Sequence, residues 1–197
     1  MNDPKGLLLV LMEPPALLEE EFNDWYDTEH FPQRRALPGF ESASRWVCLS
    51  GWPRWAAVYD MTGVAALETP EYLAVSGANS TSWSRRVLPR TVGRTRLVLQ
   101  QVAPGPAVGL PLDQVSALVL ARYPGTVDPA ACLDAAGTVP GCRQTRVFCT
   151  VTQGPAQSFV VAEFDRPVGP DAVRDALGEV AGIGASLLNT YAPYWRG

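Results

Sequence analysis

Apolar positions along this chain fall into short runs with two alternating periods. Gly6-Leu7-Leu8-Leu9-Val10-Leu11-Met12 is a continuous apolar run of strand length, ended by Pro14-Pro15, and it reads as a buried strand. Residues 17–29 then switch to helical spacing. Leu18, Phe22, Trp25 and Tyr26 recur at i, i+4, i+7 and i+8, which makes an apolar stripe. Glu19, Glu20 and Glu21 occupy the first turn, where the helix dipole favours acids. Pro32 disfavours a helical conformation at Phe31, so this helix is expected to end close to His30. Two strands are predicted at about 40–49 and 54–61, a helical region within 64–90 broken by Gly77, and a strand over 94–102. The order is β-α-β-β-α-β, the ferredoxin-like arrangement.

The pattern then restarts. Residues 103–112 (APGPAVGLPL) read as a linker, because Pro and Gly there prevent regular structure. Beyond it come a strand at 116–123, a short helix at 129–136, strands near 142–151 and 157–164, a helix from Pro170 to Glu179 and a last strand at 186–191. Pro38-Gly39 matches Pro140-Gly141, while Arg45 and Cys48 match Arg146 and Cys149 in a register shifted by one residue. The units predicted are 1–103, a linker at 104–112, and 113–197. Either four-stranded sheet alone would leave one face bare, so the two sheets are expected to pack together as one pseudo-symmetric unit around a cavity. The fold class predicted is α+β, two tandem ferredoxin-like repeats.

Composition narrows the function classes. The chain has 197 residues, 47% hydrophobic and 18% charged, with a net charge of −4. At this size it buries roughly 70% of its unfolded surface and folds without staples. Net acidity without basic runs speaks against nucleic acid as a partner. The longest apolar run is too short to span a bilayer, and with Asp3 and Lys5 before it and no small-residue cleavage site after it, it does not read as a signal peptide. Cys48, Cys132, Cys142 and Cys149 form no C-x-x-C pair and His30 is the single histidine, so no metal site is expected. Scattered cysteines fit small core residues in a reducing, cytoplasmic setting. No Gly-rich phosphate loop, G-x-S-x-G elbow or H-E-x-x-H is present.

His30 is the one side chain whose ordinary pKa lies near neutrality, as a general acid or base requires. Asp27 lies three residues before it, a helical neighbour able to orient the imidazole, with Glu29 adjacent in sequence and Tyr26 at i−4 adding a phenol. The alternative is a helix-terminal cation stabilised by the dipole. Alternation over 42–48 puts Arg45 and Val47 on one strand face and Trp46 and Cys48 on the other. The cluster Arg85, Arg86, Arg90, Arg94 and Arg96 reads either as an anion site or as partners of the acidic first helix.

Asn23-Asp24-Trp25-Tyr26-Asp27-Thr28-Glu29-His30-Phe31-Pro32, followed by Ala36-Leu37-Pro38-Gly39-Phe40 and Ser44-Arg45-Trp46, resembles the motif of the dimeric α/β-barrel superfamily. The nearest resemblance is to the branch containing ethyl-tert-butyl-ether-degradation-type proteins, whose helix carries W-Y-x-x-x-H before a P-G-F turn. The second half lacks the motif and resembles the family in fold alone. In that family two ferredoxin-like subunits dimerise into a barrel, so the repeat here implies a fused pseudo-dimer, either monomeric or itself a homodimer. The superfamily covers polyketide cyclases, cofactor-free antibiotic-biosynthesis monooxygenases, isomerases and haem enzymes, so fold alone fixes no reaction. The expectation is an enzyme without cofactor, acting on a small apolar oxygenated molecule of polyketide or aromatic-catabolite type. Cyclase, isomerase or lyase chemistry through His30 leads, with Asp27, Glu29 and Tyr26 assisting and Trp25, Phe22, Arg45 and Trp46 contacting substrate. The alternatives are a cofactor-free monooxygenase and a non-catalytic small-ligand-binding protein.

Overall fold

The structure, a computed structural model, describes residues 4–151 and 154–195. Eight strands close into one antiparallel barrel: β1 (Gly6–Glu13), β2 (Phe40–Ser50), β3 (Trp55–Met61), β4 (Val92–Ala103), β5 (Ala117–Pro124), β6 (Cys142–Thr150), β7 (Gln157–Phe164) and β10 (Leu187–Pro193). A two-stranded ribbon, β8 (Glu179–Val180) with β9 (Ile183–Gly184), sits outside it. The barrel order is β1-β3-β2-β10-β5-β7-β6-β4. Each half contributes four consecutive strands in the order fourth-first-third-second. The halves join edge to edge at β2–β10 and β4–β6. That pairing satisfies the backbone groups both half-sheets would otherwise leave open.

Alternation assigns the two faces. Leu7, Leu9 and Leu11 of β1 point inward, with Trp46, Ala56, Val58, Leu118, Leu120, Phe148, Phe159, Val161 and Tyr191. Leu8 and Met12 point outward, beneath the helices of the first half. A fully buried leucine contributes about 2 kcal/mol, so the interior is a packed core rather than a ligand chamber. This corrects the expected cavity between the sheets. The central strands β3 and β7 are buried almost throughout, covered on both faces.

Helices cover the outer faces. Over β1–β4 lie α1 (Glu19–Trp25), a π-turn at Tyr26–His30, α2 (Phe31–Arg35), α3 (Pro70–Leu73) and α4 (Ser82–Val87), with short 3-10 turns between. Over β5–β7 and β10 lie α5 (Pro129–Gly137) and α6 (Pro170–Leu177). Below α5 and α6, Tyr123, Val127, Cys132, Ala136, Val173 and Leu177 fill the space, and Tyr123 Oη donates to the Leu177 carbonyl at 2.6 Å.

The helix does not stop at His30. Phe31 N–H donates to the Tyr26 carbonyl, an i→i−5 bond, and the chain continues helically to Arg35. Pro32 has no N–H to give a regular turn, and the widened turn accommodates that missing donor in the helix.

The repeat match at Arg45 and Arg146 is also corrected. Ser42 pairs with Asp60 and Gln144 with Glu163, so the Pro-Gly register holds and Arg146 corresponds to Ser44. A one-residue slip reverses a strand's faces. Arg45 accordingly points out, and Arg146 points into the barrel end.

There Arg146 is buried against Asp60, with Glu163 3.9 Å from its Nε. The connection between β4 and β5 crosses this end of the barrel. Gly109 N–H donates to Asp60 Oδ2 at 2.8 Å, Leu110 N–H to Glu163 Oε1 at 3.1 Å, and Gln144 Nε2 to the Val108 carbonyl at 2.8 Å. A Cβ at Gly109 would stand 3.1–3.3 Å from Asp60, Glu163 and Arg146, so glycine allows the close approach. Breaking such a pair leaves a buried guanidinium uncompensated, so Asp60→Ala is expected to lower stability by about 3 kcal/mol or more, read from urea unfolding midpoints. An unchanged midpoint would show that the plug contributes nothing net.

Candidate functional site

The largest cavity beside the His30 helix lies outside the barrel, between the outer face of β1, β3 and β4 and the helical cover of the first half. It has a volume of about 520 Å³. Leu8, Val10 and Met12 of β1 form its apolar floor, and His30, Arg34, Tyr59, Tyr72, Arg94 and Arg96 supply its polar groups. No lining residue is acidic.

His30 is half-buried and lines this cavity, but its Nδ1 is inaccessible and meets no hydrogen-bond partner among the described residues. Proton exchange with a ligand therefore falls to Nε2. Trp25 lies against the imidazole with ring centroids 4.3 Å apart, and Tyr26 meets it edge-on at 5.3 Å. Burial, and then the Arg34 and Arg45 guanidiniums, push the His30 pKa down from 6.5 to about 3. Both causes favour the neutral imidazole, and the helix runs on past His30 to Arg35, so the residue does not stand at a helix end as the alternative reading expected.

The other expected site residues divide. Asp27 does not serve His30: its carboxylate pairs with the buried Arg45 guanidinium, and Tyr194 Oη lies 3.4 Å from Oδ2. Arg45 also takes Asn23 Oδ1 at 2.7 Å and stands over the Tyr26 and Tyr194 rings at 4.3 and 4.5 Å. A charge-assisted bond to an enclosed guanidinium outcompetes a neutral imidazole for the carboxylate. Glu29 accepts from Thr81 Oγ1 at 2.5 Å. Thr81 in turn caps α4 and lies 3.0 Å from Ser84 Oγ, which accepts from Trp25 Nε1 at 3.1 Å. Glu29 is thus linked to His30 through Thr81, Ser84 and the tryptophan that lies against the imidazole. The Tyr26 phenol is buried behind the imidazole, its pKa raised to about 12 by desolvation. Phe22 packs between Trp25, Tyr26 and Trp55. Trp46 is inside the barrel, on the opposite sheet face from the cavity, with Nε1 on Ser44 Oγ at 2.8 Å.

The arginine cluster also divides. Arg86 pairs with Glu21 of the acidic first helix, and Arg85 caps the Ser80 carbonyl. Arg94 and Arg96 alternate along β4 and turn toward the cavity. Arg96 donates to Tyr72 Oη at 2.9 Å. Arg34 is buried, donates to the Val75 carbonyl at 2.8 Å and stands 5.6 Å over the Tyr72 ring. Sequence reasoning missed Arg34, Tyr59 and Tyr72. The spacing of His30 and Arg34, one helical turn apart, carried the signal for the first.

The resemblance raises haem as a possible occupant. An axial imidazole needs an acceptor on its second nitrogen. His30 Nδ1 meets none among the described residues, and Trp25 covers the ring face. In the second half the matching space is filled by Tyr123, Cys132 and Leu177. These residues do not fit a haem.

A second cavity, of about 330 Å³, opens at one barrel end, with Arg122, Ser186 and Asn189 beside Leu97 and Phe159. It holds neither histidine nor carboxylate.

No protein-family model matches the chain, and no curated protein matches it in sequence. Solved structures do. An anthrone oxidase-like protein is 14% identical over 98% of this chain and 92% of that one, with a TM-score of 0.55. Chlorite dismutase from Candidatus Nitrospira defluvii, in complex with imidazole, is 12% identical over 98% and 93%, with a TM-score of 0.56. A candidate monooxygenase from Fusobacterium nucleatum subsp. nucleatum is 8% identical over the whole of both chains, with a TM-score of 0.53. At these identities the likeness is one of fold. The chain therefore has the fold of the dimeric α/β-barrel superfamily, with one polypeptide supplying both halves of the barrel.

Proposed function

We propose that the chain is a cofactor-independent enzyme. Its neutral His30 takes a proton from an activated C–H or O–H of a small, largely apolar oxygenated molecule of aromatic or polyketide type. The observation that carries this reading is an imidazole, its pKa pushed down by burial, lining a cavity with an apolar floor and arginines as its other charged groups. Such a cavity favours an anion forming inside it. Arg34, beside His30, lowers the cost of the enolate or phenolate that deprotonation leaves. Trp25 fixes the ring plane, and Glu29, through Thr81 and Ser84, fixes Trp25. Asp27 is a positioning residue for Arg45 rather than for the imidazole.

Two kinds of outcome follow for the anion. Reprotonation at another atom gives an isomerase, attack of the carbanion on a carbonyl carbon of the same molecule with protonation of the resulting alkoxide gives a cyclase, and expulsion of a protonated leaving group from the β-carbon gives a lyase. Reaction with dioxygen gives a cofactor-free monooxygenase, converting a methylene to a carbonyl with release of water; the anthrone oxidase-like neighbour favours this second reading. The Trp25–His30 motif supports a relationship to the ethyl-tert-butyl-ether-degradation-type branch.

Anthrone is a suitable probe. Anaerobic hydrogen–deuterium exchange at its methylene is expected to be accelerated by the protein, and His30→Ala to lose about 100-fold or more of that acceleration. Full exchange by His30→Ala would sink the mechanism. Oxygen uptake during aerobic turnover marks the monooxygenase; exchange without uptake marks the other class.

Burial of neutral His30 also sets a pH dependence. The unfolded chain takes up a proton near 6.5 that the folded chain refuses until about 3, so stability is fully present above pH 6.5 and is lost as pH falls. Between pH 6.5 and about 5 few carboxylates titrate, and His30 is the single histidine, so His30→Gln is expected to flatten the unfolding midpoint in that window. Parallel profiles for the two proteins would contradict the buried neutral imidazole.

A further inference from the structure

Where an arginine of this chain bridges elements, a carboxylate usually meets it. Arg45 has Asp27, Arg54 has Glu13 and Glu19, Arg86 has Glu21, and Arg146 has Asp60. The three arginines of the cavity break this pattern. Arg34, Arg94 and Arg96 have no carboxylate within ion-pair distance among the described residues, and none of the residues lining the cavity is acidic. Arg34 and Arg96 are held in place by neutral partners, the Val75 carbonyl and the Tyr72 hydroxyl, which orient a guanidinium without cancelling its charge. Three like charges gathered around one cavity repel one another, and an anion between them offsets that cost. The concentration of positive charge occurs in a chain whose net charge is −4.

We infer that the substrate carries a permanent anionic group, a carboxylate on an aromatic or polyketide-type body, held by Arg94 and Arg96 at the cavity mouth. This deepens the proposed reading of the same cavity and rests on it. The division of labour follows from burial. Arg34 is buried and acts electrostatically on His30, so it faces the charge that forms during reaction. Arg94 and Arg96 are exposed, where they meet a ligand as it enters. Leu8, Val10 and Met12 then receive the apolar body. Deprotonation would bring the ligand to two negative charges, facing three guanidiniums and the imidazolium formed at His30. A neutral ketone alone would leave the charge at the mouth unused.

The test is equilibrium binding of 2-naphthoate and of its neutral isostere 2-naphthamide by calorimetry. The wild-type protein is expected to bind the acid at least about tenfold tighter than the amide, as one or two charge-assisted hydrogen bonds imply, with the preference shrinking as salt is raised. In R94Q/R96Q the two ligands should bind within about twofold of each other, and R94Q alone, which changes an exposed residue, should be intermediate. Arg122→Gln, at the barrel-end cavity, should keep the full preference. Equal binding of the two ligands, binding of neither, a preference that survives R94Q/R96Q, or one abolished by Arg122→Gln overturns the inference. His30→Ala separates it from the reaction it rests on. That variant should keep the acid preference while losing proton exchange with anthrone. Loss of the preference with wild-type exchange intact defeats the carboxylate alone, and exchange that persists in His30→Ala defeats the proton transfer alone.

Discussion

The constraint on which this structure depends is the closure of two open sheet edges. A four-stranded ferredoxin-like sheet has an apolar face and two unpaired edges. Here β2 meets β10 and β4 meets β6, so every barrel strand has two neighbours. Closure of eight strands leaves an interior just wide enough for side chains, and leucines, Trp46, Phe148, Phe159 and Tyr191 fill it. A ligand site on such a barrel has to lie on an outer face or at an end. The outer face of the first half is where its helical cover stands clear of the sheet.

The two halves use one plan for different ends. In the second half, small residues on α5 and apolar ones on α6 let the helices settle onto the sheet around Tyr123 and Cys132. In the first half, Phe22, Trp25 and Tyr26 wedge α1 above β3, and the short pieces between Val64 and Arg90 span the gap without closing it. The barrel end is treated asymmetrically as well. Asp60 and Glu163 meet one arginine, and the connection between the halves lies over them with Gly109 at the point of closest approach.

Much of the architecture was legible in the sequence, and the failures have specific causes. Strands showed because their period is two and their ends carry Gly and Pro, and the repeated order foretold the fused barrel. The helix end at His30 was misplaced because Pro32 is a strong breaker only where the helix is regular; a π-turn removes the conflict. Arg45 and Arg146 were matched by identity, where the Pro-Gly register, one residue away, put them on opposite faces. His30 lines a cavity on the outer face of the first half's sheet, whereas the resemblance implied one between the two sheets, where side chains fill the space. Asp27 did not reach His30, because its partner Arg45 is distant in sequence and its burial cannot be read locally. Arg94 and Arg96 were visible as cations; that they face one cavity with Arg34 depends on β4 lying beside β1, a long-range pairing.

In the proposed reaction, the electrostatics of the cavity bear on how His30 would act as a base despite its lowered pKa. Desolvation is the largest cause of the His30 shift, and the Arg34 and Arg45 charges add to it. Arg45 is already neutralised in part by Asp27, so Arg34 is the charge a ligand can still change. On the proposed reading, a carboxylate held by Arg94 and Arg96 and an enolate forming beside Arg34 would both act on the imidazole with the sign opposite to those guanidiniums. Each makes the imidazolium less costly. The affinity of His30 for a proton would therefore rise as the cavity fills and as that reaction proceeds. Trp25, tilted against the imidazole with ring centroids 4.3 Å apart, would hold the ring through that change, with Nδ1 sealed and Nε2 left for the proton to reach.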